Sequence, residues 1–142
     1  MKKAVLFILT LILVSCGASS SKTSGKNVLY EVLTQQTDGG ASIRFFEILS
    51  EENEIVMLQN DEKLKEKIKT NDIQTSNFIV LNMGEKTSGG YKIGIESAVE
   101  TDKNIIITIK ETTPQSGSMV TQEITTPYCV VKINSKKDII IK

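Results

Sequence analysis

The residue with the most specific chemistry in this chain is Cys16, which ends the run Leu13-Val14-Ser15-Cys16. A thiol placed directly after a small residue, behind an apolar segment, can be modified once the segment ahead of it is removed. Lys2 and Lys3 make a basic start, and Ala4 to Val14 is an eleven-residue apolar stretch broken only by Thr10. This order of charge, apolar run and small residue is that of a secretory signal. Eleven residues are too few to span a bilayer, which takes about 20. The second cysteine, Cys129, lies in the apolar run Tyr128-Cys129-Val130-Val131 and reads as a small buried hydrophobe, not a reactive thiol. With Cys16 modified, Cys129 has no partner within the chain, so no disulfide framework is expected.

Other reactive constellations are missing. There is no histidine, which removes the usual general base, the Ser-His and Cys-His nucleophile pairs and the commonest metal ligand. No GxSxG, HExxH, P-loop or CxxC pattern occurs. The acidic residues fall mostly in turns and on one predicted helix, without the convergent pair that glycoside hydrolysis needs. Serine and lysine are both common, but no motif pairs them. Asp38 and Asp102 look like ordinary turn residues, not calcium ligands. The expectation is a non-enzymatic protein with no cofactor and no metal. Removing residues 1–15 takes away two lysines and leaves a formal charge of −2. No basic stripe stands out, so nucleic acid is not an expected partner.

The segment around Cys16 resembles a bacterial lipobox. That resemblance implies a diacylglyceryl thioether on Cys16, which becomes the mature N-terminus, and three acyl chains in all. Each buried CH₂ contributes about 0.8 kcal/mol, and more than one chain makes the attachment stable. Residues 16–27 are Ser/Gly-rich and read as a flexible tether. The eleven residues after Cys16 reach about 36–40 Å when extended. The first acidic residue after Cys16 is Glu31; by analogy with lipoprotein sorting, this points to the outer membrane of the cell envelope. Three parts follow: a signal segment at 1–15, the tether at 16–27 and one domain at 28–142.

The domain reads as α+β, a mainly antiparallel sheet or meander with one main helix packed on it. Val28 to Leu33 is an expected strand, followed by a turn at Asp38-Gly39-Gly40. Ser42 to Leu49 and Glu54 to Leu58 read as a hairpin turning at Glu51-Glu52-Asn53. Asn60 to Lys69 is the expected helix, with an Asn cap, acids first, lysines last, and Leu64 and Ile68 on one face. Phe78 to Met83 is nearly continuously apolar. Tyr91, Ile93, Ile95 and Val99 alternate onto one face, as do Ile105, Ile107 and Ile109. Met119 to Thr125, Tyr128 to Ile133 and Asp138 to Ile141 complete the strands, with Pro127 as a break.

Three segments carry a family resemblance: Gly84-Glu-Lys-Thr-Ser-Gly-Gly-Tyr-Lys-Ile-Gly-Ile-Glu-Ser-Ala-Val99, Thr113-Pro114-Gln-Ser-Gly-Ser-Met-Val-Thr-Gln122 and Ile124-Thr-Thr-Pro127-Tyr128-Cys-Val-Val-Lys-Ile133. Together they resemble the C-terminal domain of the protease complex subunit PrcB family, over about residues 78–133. Thr87 stands where the family favours proline. The resemblance implies a lipoprotein that associates with, and stabilises, a secreted or surface protease.

In a simple meander, the loops at 84–90 and 111–118 fall at the same end of the sheet, since two strands separate them. The expected partner-binding set is Lys86, Thr87, Ser88, Gly89, Gly90, Tyr91 and Pro114, with Pro127 and Tyr128. The same residues also have a structural reading. Gly89-Gly90 suits a turn, Pro127 a strand break and Tyr128 a core anchor. The functional expectation is a non-catalytic, lipid-anchored module that binds another envelope protein, in the first instance a protease. The alternatives are a structural envelope lipoprotein, or one that binds a small ligand in a cavity between sheet and helix.

Overall fold

The computed structural model describes residues 28–142. The Cys16 motif, the signal segment and the tether lie outside the described residues. Seven strands and two short helices follow in the order β1 (Tyr30–Gln36), β2 (Arg44–Leu49), α1 (Glu52–Gln59), α2 (Asp72–Thr75), β3 (Asn77–Met83), β4 (Lys92–Glu100), β5 (Asn104–Thr112), β6 (Tyr128–Ile133) and β7 (Asp138–Ile141). The fold is α+β, mainly antiparallel, with α1 as its main helix. The strands do not form one meander. They divide into a four-stranded sheet, β1-β6-β3-β2, and a three-stranded sheet, β4-β5-β7. All pairings are antiparallel except β5 with β7.

Apolar patterning explains this layering. Strands β3 and β6 are apolar at nearly every position, so they must be covered on both faces. They are the two central strands of the first sheet. One face presents Ile79, Leu81, Cys129, Val131 and Ile133 to Ile93, Ile105 and Ile107 of the second sheet. The opposite face presents Phe78 and Val130 to Ile55, Leu64, Ile68 and Ile73 of the helical segment. That second interface is filled by buried side chains, and what stays open between sheet and helix is a surface groove between β2 and α1. Burial pushes the Cys129 thiol up to about 11, which leaves it protonated and inert at neutral pH.

The helix lies elsewhere in the chain than its caps suggest. Glu54 to Leu58, read as a strand, belongs to α1. Ile55-Val56-Met57-Leu58 is a short continuous apolar run, for which period cannot separate strand from helix. Local hydrogen bonds decide it: Glu54 Oε2 accepts from the Ser50 and Glu51 amides, both at 3.0 Å. Ile55 is fully buried, while Met57 is exposed. Residues 60–69 form successive turns, not a helix. Asp61 Oδ1 accepts from the Lys63 amide at 2.8 Å, a local bond that competes with helix propagation. Leu64 and Ile68 are nonetheless both buried, as their spacing predicts.

A bulge alters β4. The pairing with β5 slips between Ile95 and Ser97, which shifts the inward face by one residue. Ala98 therefore packs on the core, and Val99 is more than half exposed. The expected strand at Met119 to Thr125 is absent. That segment is irregular and contributes one isolated bridge, Thr125 with Lys86.

Candidate functional site

Chain reversal at one end of the sandwich brings two loops together. The first, residues 84–91, links β3 to β4; the second, residues 113–127, links β5 back to β6. The pairing of Lys92 with Thr112 places the end of one loop beside the start of the other. Main-chain bonds then join them. The amides of Lys86 and Thr125 donate to each other's carbonyls at 2.8 and 2.9 Å, and the Gly89 amide donates to the Thr121 carbonyl at 2.9 Å. Thr125 Oγ1 donates to the Ser88 carbonyl at 2.8 Å. Gly90 has a φ of +88°, and a Cβ there would lie 3.1 Å from Pro114 and Val120. Glycine is thus needed both for the turn and for the close approach of the second loop.

The result is one rim made of both loops. Lys86, Thr87, Ser88, Gly89, Gly90, Tyr91 and Pro114 all lie on it. The Lys86 ammonium sits over the Tyr91 ring, 5.6 Å from its centroid. Arg44, at the start of β2, pairs with Glu111 at 2.9 Å and lies 4.4 Å over the Phe46 ring. Three large apolar side chains stand largely exposed around the rim: Ile43, Met119 and Ile124. Met119 and Ile124 look like strand residues in the sequence, and no local signal marks them as exposed. Hydroxyls, an ammonium and exposed apolar groups on a braced loop pair suit contact with a protein surface.

Pro127 and Tyr128 are placed differently. The Pro127 side chain is fully buried beneath the rim, and its carbonyl accepts from the Met83 amide at 2.9 Å. Tyr128 faces the helical layer, where its hydroxyl is 3.4 Å from Lys63 Nζ. Both residues brace the fold. The Thr-Pro-Tyr segment also locks the Asp38-Gly39-Gly40 turn. Asp38 Oδ1 accepts from the Thr126 hydroxyl at 2.9 Å and from its amide at 3.0 Å.

Those bonds, the Thr126 hydroxyl first, hold the Asp38 carboxyl below its ordinary value. A depressed carboxyl stabilises the fold above its unfolded value of about 3.9, and this is lost as pH falls through the lower folded value. The melting-temperature gap between wild type and Asp38→Ala is therefore expected to be full near neutrality, to shrink below about pH 4 and then to close. A gap that stays constant down to about pH 2 would contradict the lock.

Among the described residues, no group of three or more Asp, Glu or Cys side chains is arranged to hold a metal ion. No helix among them is long and apolar enough to cross a membrane. No curated protein and no solved structure matches the chain. The family model described as PrcB C-terminal does match, over residues 77–134, which include β3 to β6 and both rim loops. Residues 77–134 are thus similar to the PrcB C-terminal family, the one that the Gly-Gly-Tyr and Thr-Pro-Tyr segments resemble.

Proposed function

We propose that this chain is a lipid-anchored protein of the bacterial cell envelope, most simply the outer membrane, whose folded domain binds another envelope protein without catalysis. The partner class we infer is a secreted or surface protease, held and stabilised by the rim. The observation that carries this reading is the mutual bonding of the two loops within the matched region. Loops that spend their backbone groups on each other form a preorganised surface, which lowers the ordering cost of association. Lys86, Thr87 and Ser88 present the polar part of the surface, and Met119 and Ile124 the apolar part. Cys16 supplies the anchor, as a thioether carrying acyl chains. A tether of the length of residues 16–27 lets the domain meet its partner without itself touching the lipid.

Affinity capture tests the reading. The full chain, tagged at its C-terminus, is recovered from native membranes after brief crosslinking. It is expected to sediment with the membranes and to bring down one envelope protein in near-stoichiometric amount, a protease on the finer reading. Cys16→Ser is expected to release it into the soluble fraction. Retention of that variant in the membrane would overturn the anchor, and recovery of the chain alone would overturn the partner.

A further inference from the structure

The two sheets have four outer strands, and they are not equally protected. Exposed edges invite pairing with another chain, and natural sheets blunt them with bulges or short strands. Strands β1 and β4 carry bulges, at Val32/Thr34 and Ile95/Ser97. Strand β7 has only four residues. Strand β2 has neither device: its six residues pair with β3 in unbroken register, and its other edge pairs with no strand among the described residues. It is also the edge beside an open groove of about 340 Å³ between β2 and α1.

The groove has a defined chemistry. Leu49, Leu58 and Val80 form an apolar floor, and exposed Met57 forms its lip. Glu47, Glu54 and Asp61 also line it, and no lysine or arginine does. The nearest cation in sequence, Lys63, is directed to the Tyr128 hydroxyl and ring instead. Phe45, Glu47 and Leu49 alternate onto the same side of β2, since Phe46 packs toward the other sheet. A strand added to β2 would place every second side chain over this floor and its acidic margin, so its apolar and cationic residues must share that one face.

We propose that β2 and its groove receive an extended segment of a partner protein as an added strand. At the alternate positions that face the groove, the segment carries both apolar residues and lysine or arginine, its apolar side chains on the Leu49, Leu58 and Val80 floor and its cations on Glu47 and Asp61. This surface is separate from the 84–91 rim and does not depend on it. The affinity comes from main-chain bonds along β2, and the specificity from the acid-rimmed apolar floor.

The test uses the full chain in a non-ionic detergent and two fluorescein-labelled heptapeptides with threonine at every second position, one with valine and lysine in turn at the positions between and the other with valine and glutamate there. The basic peptide is expected to bind at least tenfold more tightly by anisotropy and to slow amide exchange at residues 44–49. Glu47→Lys with Asp61→Lys, both on the surface, is expected to weaken it at least tenfold. Alanine at Lys86, Thr87 and Ser88 is expected to leave peptide binding unchanged, which separates this site from the rim. Equal binding of the two peptides, indifference to the double substitution, or unaltered exchange at β2 would each overturn the proposal. Self-association of the chain abolished by the double substitution would also overturn it, by assigning the edge to a second copy.

Discussion

Alanine at Lys86, Thr87 and Ser88 together is expected to abolish capture of the partner while leaving a folded domain. The fold tolerates the change because the first loop is held by its backbone. The bonds of Lys86 with Thr125 and of Gly89 with Thr121 are main chain to main chain, and alanine keeps them. Ser88 Oγ donates to the neighbouring Gly89 carbonyl, a local contact. The Lys86 ammonium over the Tyr91 ring contributes about 0.5–1 kcal/mol at an exposed site. The combined stability loss is therefore about 1–2 kcal/mol, a few degrees in melting temperature. For binding, the same three side chains are the polar tip of the rim. A hot-spot residue at the centre of an interface costs about 2 kcal/mol or more when truncated, about thirtyfold in affinity, and one such residue among the three is enough to lose capture. Thr125→Ala is the informative comparison, because it removes the hydroxyl bond to Ser88 from within the rim. It is expected to weaken capture less, by loosening the loop and not by deleting contacts. Undiminished pull-down by the triple variant would remove the rim from consideration as the binding surface.

The largest stability effect is expected at Gly40. A Cβ at this position would lie 2.2 Å from Asn82 Oδ1 and 2.8 Å from the Thr126 carbonyl. The Thr126 carbonyl is backbone and already accepts from the Gly40 amide at 2.9 Å, so it cannot retreat freely. Asn82 is buried and fully used. Its Nδ2 donates to the Ala41 and Ile43 carbonyls, and its Oδ1 accepts from the Ala41 amide at 3.0 Å. Displacing it strands buried polar groups, at about 1–3 kcal/mol, in addition to about 1–3 kcal/mol for the overpacking itself. Gly40→Val should therefore cost about 3–5 kcal/mol and lower the melting temperature by about 10 °C or more. Gly117 is the control: it has a φ of +81° but nothing within 4 Å of an added Cβ. Gly117→Ala pays only for the left-handed backbone, about 1–2 kcal/mol. If thermal denaturation found the two variants equally stable, the lock between the 38–43 turn and Asn82 would not hold.

Most strands are legible in the sequence because a strand's side-chain period is 2 and local. Ile105, Ile107 and Ile109 alternate inward, and the continuous apolar runs at Phe78–Met83 and Tyr128–Ile133 are central strands covered on both faces. The errors fall where local pattern is ambiguous or is overruled. Ile55 to Leu58 is too short a run to show its period. Asn60 to Lys69 carries good caps, but its apolar stripe has two residues, too few to hold a regular helix against competing turns. Glu96 inserts a bulge that no residue type announces, so Val99 faces solvent and Ala98 the core. For Met119 to Thr125, β propensity has no neighbouring strand to pair with, and only the Thr125 bridge forms.

The candidate site divides in the same way. The Gly-Gly-Tyr and Thr-Pro-Tyr segments are readable as motifs because their residue types constrain turns locally. That Tyr128 faces the helical layer while Tyr91 lies on the rim follows from sheet order, which no spacing records. By itself, then, the sequence determined the α+β class, most of the strands, the continuous apolar runs of β3 and β6 and the resemblance of the 84–133 segments. These depend on alternation, apolar runs and turn residues within a few positions of one another. The tertiary structure alone decided the split into two sheets, the position of the helix, the bonding of the two loops into one rim and the bare edge at β2. Each of these depends on which distant segments share hydrogen bonds and a core, a choice made by burial and pairing across the whole chain.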